Sequence, residues 1–361
     1  MLITVNEYKK YFKWHYAGFW FRDCVVRDKD IFVFVTEPSL TDEQVEEEEK
    51  NDWDPNLRTK GIIIYVRDEP LGKQWSAAFR NWNAMVIGAS QKPASHSVSI
   101  ERTSVYPSLD LRCFVTGSGP AHEDTPLGRE GDFDRGHIGK LKSLEGYLYA
   151  CGGGRSFGKR LGDGQWQSFS QDIPLPDGSG KTAGQFGFED FDGWSETDIY
   201  AAGGRGDVWH YDGKKWRQLP FPSNIPLTTV CCGGDGNVYI SGYGGNTFMG
   251  GGDRWKHLSG MGLSGALGLS LPFRDMVWYE DRVWCTNDYG LWTIHKGRMK
   301  RADVPTTVRA CGGNLSTADG VLLLAGLYGA VFMENGQWNE IVIFDTMEKI
   351  LALEEMEKNG K

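Results

Sequence analysis

One pattern recurs along the C-terminal two-thirds of the chain and limits its fold more than any other feature. In each copy a turn bearing Asp, Gly or Glu precedes a short aromatic and aliphatic strand. A glycine, a second strand and a turn closed by a large side chain follow. The copies read EGYLYACGGG to DGQW (145–166), TDIYAAGGRGDVWHYDGKKW (197–216), GNVYISGYGGNTFMGGGDRW (236–255), DRVWCTNDYGLWTIHKGRM (281–299) and GVLLLAGLYGAVFMENGQW (320–338). Their closing residues, Trp166, Trp216, Trp255, Met299 and Trp338, fall 50, 39, 44 and 39 residues apart. The strands are rich in the β-branched and aromatic residues that a half-buried pleated surface favours. Asp212-Gly213, Lys296-Gly297 and Asn335-Gly336 supply the positive-φ positions of tight hairpins.

A unit of about 40–50 residues is the size of one four-stranded propeller blade. Two further copies lie in the N-terminal third. The first runs from FWFRDCVVRDKDIFVFV through a long acidic insertion to GIIIYVRDEPLGKQW, ending at Trp75, and a degenerate second spans about 79–116. The expected fold is therefore all-β, a single propeller over 1–343. Seven four-stranded blades fit best, and six or eight are the neighbouring counts. An insertion at 37–60 interrupts the first blade, and 117–135 reads as a connecting loop. In FDTMEKILALEEMEKNGK (344–361), Met347, Ile350, Leu351 and Leu353 recur at helical spacing, which predicts one amphipathic C-terminal helix.

Composition narrows the functional classes. The 48 Gly among 361 residues are about 13%, nearly twice the usual ~7%, without the Gly-X-Y period of collagen. With 40% hydrophobic residues a large core is within reach, and a mainly disordered chain is excluded. The formal charge of -9 argues against a generic nucleic-acid binder, which needs a basic face for phosphates. The seven cysteines are odd in number and contain no C-x-x-C pair, so reduced core thiols are expected rather than a disulfide framework or zinc site. The N-terminus lacks the apolar stretch of a signal peptide, and no run approaches the ~20 apolar residues of a membrane span. A cytoplasmic protein, monomeric when alone and with no membrane partner, is expected.

One feature stands above the repeat. Several blades open with a phenylalanine and a charged pair: Phe21-Arg22-Asp23, Phe79-Arg80-Asn81, Phe188-Glu189-Asp190 and Phe273-Arg274-Asp275. Phe133-Asp134-Arg135 is a shifted form and Val308-Arg309 a variant. Placed at the start of each innermost strand, Arg22, Asp23, Arg80, Asp134, Arg135, Glu189, Asp190, Arg274, Asp275 and Arg309 would surround one funnel mouth, with His137 beside them. Two readings compete: charged pairs that close neighbouring blades, or a polar surface that receives a partner. The insertion TDEQVEEEEKNDWDPN (41–56) is the second candidate, with eight carboxylates and one Lys. It reads either as a solvated loop or as an arm in which Glu46, Glu47, Glu48, Glu49 and Trp53 steer and anchor a basic partner. Trp14 and Trp194 are further candidate anchors.

Catalytic and metal motifs are weak. The seven histidines show no H-E-x-x-H or paired spacing, so no metal or other cofactor is expected. DFDRGH (132–137) gathers Asp132, Asp134, Arg135 and His137 but reads more simply as a polar loop. The glycine strings 151–154 and 243–246 open no helix and lack Gly-Lys-Ser/Thr, which makes them turns rather than phosphate loops.

On these repeats the chain resembles bacterial β-propeller proteins of the kelch-like or sensor type. It lacks W-D and G-H signatures that recur from blade to blade, the full kelch double glycine and the S-x-D-x-G-x-x-W box. The resemblance implies an architecture and carries no activity by itself. Compact bacterial propellers of this kind resemble stand-alone interaction modules, some of them immunity proteins that neutralise toxins. That implies a non-enzymatic protein binding one protein partner, and the acidic balance suits a basic toxin domain, for example a nuclease. The alternative is a small-ligand-binding or catalytic propeller that uses the central funnel.

Overall fold

The computed structural model describes all residues except 1, 12–17, 40–42, 44–45, 47–58, 68, 70–73, 82–83, 103–110, 118–121, 126–128, 131–132, 135–136, 176–185, 259–270 and 360–361. Seven four-stranded antiparallel sheets follow one another as blades of a β-propeller, each hydrogen-bonded in chain order. The first contains β1 (Phe19–Asp28), β2 (Ile31–Pro38), β3 (Thr59–Val66) and β4 (Trp75–Asn81). The second contains β5 (Met85–Ser90), β6 (His96–Glu101), β7 (Leu111–Gly117) and β8 (His122–Thr125). A two-stranded ribbon, β9 (Arg129–Glu130) and β10 (Phe133–Asp134), precedes the third, which contains β11 (Ile138–Leu144), β12 (Tyr147–Gly152), β13 (Ser156–Gly162) and β14 (Gln165–Ser168).

The fourth contains β15 (Asp190–Ser195), β16 (Asp198–Gly203), β17 (Asp207–Tyr211) and β18 (Trp216–Gln218). The fifth contains β19 (Leu227–Cys232), β20 (Val238–Gly242), β21 (Asn246–Gly251) and β22 (Arg254–His257). The sixth contains β23 (Asp275–Tyr279), β24 (Arg282–Asn287), β25 (Gly290–His295) and β26 (Arg298–Arg301). The seventh contains β27 (Gly313–Ala318), β28 (Val321–Gly326), β29 (Gly329–Glu334) and β30 (Gln337–Ile343). Three α-helices, α1 (Val5–Tyr11), α2 (Thr306–Ala310) and α3 (Phe344–Asn359), and a 3-10 turn at Tyr243–Gly245 are also described.

Two sequence boundaries move. The stretch 117–135 contains β8, the outermost strand of the second blade, because HEDT carries no apolar alternation to reveal it. Phe79-Arg80-Asn81 closes β4, with Arg80 opposite Lys60, and does not open an innermost strand. The insertion joins β2 to β3, as its place in the sequence suggests.

The hairpin chemistry explains the turns. Lys296-Gly297 and Asn335-Gly336 both have positive φ at both residues, the two-residue geometry that matches strand twist. Asp212-Gly213 solves the turn differently: only Gly213 is left-handed, and the Asp212 carboxylate accepts the N–H groups of Lys214 and Lys215. Glycine has a second use at the end of the second strand. A Cβ on Gly152, Gly203, Gly242 or Gly326 would fall inside contact distance of the carbonyl oxygen of His137, Gly187, Pro226 or Gly312 respectively. These four sites admit no side chain because the segment entering the innermost strand crosses against them.

The chain packs as two compact units. One comprises Met1–Asn83, Asp288–Gly290 and Asp303–Lys361. Its core joins Phe21, Phe32 and Phe34 of the first blade to Leu323, Phe332 and Val342 of the seventh, with Tyr8 of α1 and Met347 of α3. Backbone N–H groups of Leu2 and Ile3 donate to the carbonyls of Glu340 and Ile341, pairing the N-terminal segment with the outer edge of β30. The other unit comprises Ala84–Asn287 and Leu291–Ala302, with innermost strands β5, β11, β15, β19 and β23 side by side. Here the closing tryptophans work between blades: Trp216 lies 5.0 Å from the Phe157 ring and donates to the Phe169 carbonyl at 3.0 Å. All seven cysteines are free and buried. Burial pushes the thiols of Cys151, Cys231, Cys232 and Cys285 well above the ordinary range, which leaves little reactive thiolate.

Candidate functional site

The Phe-charge-Asp motif is a backbone device before it is a surface. Phe21, Phe188 and Phe273 are buried core residues, and Asp23, Asp190 and Asp275 are buried as well. Each aspartate accepts the N–H of the next residue, Cys24, Phe191 or Met276. Between them Arg22 is the extra residue of a bulge in β1. Glu189 and Arg274 donate their N–H groups to Ala202 and Thr286, the residues opposite the following aspartates. The same irregularity falls at Gly139 in β11 and Thr228 in β19. A bulge re-aims the side chain it carries, so the middle position of the motif is the one freed from the core.

The aspartates of the second unit join two lysines that the motif does not contain. Lys140 and Lys142 share one face of β11. Lys142 Nζ lies 2.9 Å from Asp190 Oδ1 and donates to the Val230 carbonyl at 3.0 Å. Asp190 Oδ2 also accepts from Thr229 Oγ1 and the Val230 N–H, both at 2.8 Å. Lys140 Nζ reaches from the third blade to Asp275 Oδ2 of the sixth at 2.8 Å. Burial alone would lower the Lys142 ammonium, but Asp190, Asp192 and Asp275 outweigh it and hold it above its usual range. Burial raises the Asp192 carboxyl, with Lys142 and the N–H groups of Cys232 and Gly193 opposing. On the inner side between β11, β15, β19 and β23 these charges are committed to one another. For Asp190 and Asp275 this burial favours the blade-closing reading over direct recognition.

Nearer the surface, Glu189 gathers His137 and Arg102. His137 Nε2 lies 3.2 Å from Glu189 Oε1, and Arg102 Nη2 lies 3.4 Å from Oε2. Arg102 Nε also donates to the Ile138 carbonyl at 3.0 Å. All three are half-exposed. The His137 hydrogen bond, with help from Arg102 and against burial, holds the Glu189 carboxyl below its ordinary range. A carboxyl depressed on folding stabilises the fold at pH above its unfolded pKa, and that contribution is lost as pH falls through the folded value. Thermal melting between pH 7 and 3 should therefore fall less steeply for Glu189→Gln than for the wild type, with the difference confined to the acid range. Parallel profiles would refute this role.

The other expected residues disperse. Arg80 sits in β4, Asp134 in β10, and Arg309 in α2, where Nη2 lies 3.4 Å from the Val304 carbonyl. Arg22 lies 3.6 Å from Glu37 and over the Trp20 ring. Arg274 is half-buried. Glu46 is exposed, whereas Arg135, Glu47, Glu48, Glu49, Trp53 and Trp14 lie outside the described residues. Trp194 donates to the Gly233 carbonyl at 2.8 Å and is partly exposed.

Three features escape the sequence reading. Arg155, in the turn after β12, forms a buried two-point pair with Asp207 at 2.7 and 3.0 Å, and its guanidinium lies 4.9 Å from the Trp209 ring. In the first unit, Tyr289, Leu327 and Tyr328 stand exposed on turns between second and third strands, with Tyr289 71% exposed. In the second unit, Tyr243 occupies the same kind of turn. The turn position followed by glycine, Tyr-Gly in all three tyrosine cases, was the available signal. Among the described residues no group of three or more His, Cys, Asp or Glu side chains is arranged to hold a metal ion. Among them, too, no helix is long and apolar enough to cross a membrane.

No family model matches the chain. It is similar to a Pseudomonas aeruginosa PAO1 protein named immune protein Tsi7, 29% identical over 229 residues that cover 63% of this chain and 72% of that protein. Among solved structures it resembles YCF48 bound to D1 peptide, with a TM-score of 0.53 at 13% identity, covering 88% of this chain and 92% of that one. The WD40 β-propeller domain of Doa1 gives the same TM-score at 9% identity, over 89% and 98%. These structural likenesses establish the propeller fold.

Proposed function

We propose that this chain is a non-enzymatic immunity protein that binds and neutralises a cognate bacterial toxin domain. The observation that carries the reading is the 29% identity to immune protein Tsi7 over 229 residues. The propeller fold supports it as a platform of exposed turns on a rigid scaffold. The alternative, a small-ligand or catalytic site in the funnel, has less support, because Asp190, Asp275, Lys140 and Lys142 already satisfy one another. The charge of -9 suits a basic partner. The seven buried thiols suit a reducing compartment, and we place the action in the cytoplasm.

Co-expression with the protein encoded next to this one tests the proposal. Cells making the neighbour alone should stop growing, and cells making both should grow and yield a complex on affinity purification. Toxicity without protection, and no complex, would end the reading.

A further inference from the structure

In an antiparallel meander, the turn between second and third strands lies at the end where the first strand begins. In the first unit β1 and β27 run side by side in the same direction: Asn314 Nδ2 donates to the Arg22 carbonyl at 2.6 Å, and the Val26 N–H donates to Ser316 Oγ at 3.0 Å. The Leu327–Tyr328 turn therefore lies at the end where both strands start, and β30 finishes there. Helix α3 leaves from this point, its Phe344 N–H donating to the Tyr328 carbonyl at 3.0 Å and its Phe344 ring lying 5.2 Å from Phe21. The chain also leaves β2 and re-enters β3 at this end.

Helix α3 packs inward through Met347, with Leu351 against the same core. Its outward side nevertheless carries Leu353 and Met356, 62% and 69% exposed, one helical step apart. Exposed Asp345, Glu348, Glu355 and Glu357 lie on the same helix, which has five carboxylates against two lysines; Lys349 pairs with Asp345, and Lys9 of α1 pairs with Glu354. Tyr328 is 51% exposed and Leu327 38%. An apolar pair and a tyrosine set in acidic surroundings have the composition of an interface centre with a charged rim. The excess of carboxylates on the helix favours as complement a basic protein face with apolar side chains at its middle.

We propose that the end of the first unit formed by Tyr328, Leu327 and the Leu353/Met356 side of α3 docks the basic face of the toxin domain. This inference rests on the immunity reading and adds the face that binds. The test measures binding of the neighbouring gene product to purified variants, with thermal melting and size-exclusion profiles recorded for each. Tyr328→Ala, and Leu353→Lys with Met356→Lys, should each weaken binding by about tenfold or more at unchanged melting temperature. Gln337→Lys, exposed in the hairpin at the opposite end, should bind as wild type. Variants that bind within twofold of a wild type that does form the complex would overturn the surface and leave the immunity reading standing. So would a self-dimer of this chain lost in the Leu353→Lys, Met356→Lys variant while toxin binding stays intact. A wild type that binds nothing and protects nothing would remove both.

Discussion

Gly152→Ala is expected to destabilise the protein by at least about 3 kcal/mol, and Gly203→Ala and Gly242→Ala by a similar amount. The reason is backbone against backbone. The added methyl meets the carbonyl oxygen of His137, Gly187 or Pro226, and a carbonyl held at the entry to an innermost strand cannot swing aside as a flexible side chain could. Relief would require the entering segment to move, and with it the bulge that seats the buried aspartate of the fourth blade. Gly162→Ala is the control: its Cβ would meet only Pro93 Cγ at 3.7 Å, an ordinary contact, so stability should change by a few tenths of a kcal/mol. Urea unfolding of the four variants decides the matter, and a Gly152→Ala protein as stable as Gly162→Ala would refute the close approach.

The second large effect belongs to Asp190. Asp190→Ala removes the carboxylate that holds Lys142 and strands the N–H of Val230 and the Thr229 hydroxyl, all buried or nearly so. Breaking a buried pair from one side costs about 3–5 kcal/mol, because the remaining charge has lost its compensation. Lys142→Met should cost less, since Asp190 keeps its contacts to Phe191, Thr229 and Val230. Combined with Lys142→Met, Asp190→Ala should therefore be less damaging than the sum of the two, with a coupling of about 0.5–3 kcal/mol. Simple additivity in chemical unfolding would show that the pair contributes nothing as a pair.

The repeat made the architecture legible because each blade restates the same local chemistry. Turn glycines, short branched strands and a closing aromatic gave seven blades, and the spacing of Met347, Ile350 and Leu351 gave the C-terminal helix. The polar strand His122–Thr125 was hidden because it owes its place to pairing with β7, which a four-residue polar segment does not advertise. The Phe-charge-Asp motif marked innermost strands at 21, 188 and 273 but misled at 79, where the same letters end an outer strand. Lys140, Lys142 and Arg102 were invisible for a different reason. Their partners lie 135, 48 and 87 residues away, and no local pattern encodes such a meeting. Burial likewise separates the motif into buried aspartates that hold blades and a partly exposed neighbour before each, a division that residue identity alone leaves open.

The bond from Lys140 to Asp275 also has a consequence in time. At a synthesis rate of roughly 5–20 residues per second, the lysine waits on the order of 10 s after it is made before its partner exists, the two being 135 residues apart. During that interval the third blade has its hairpins but not the counter-charge at its inner side, so an ammonium destined for the interior must stay in water. Final placement of the Lys140 ammonium therefore waits for the strand that opens the sixth blade.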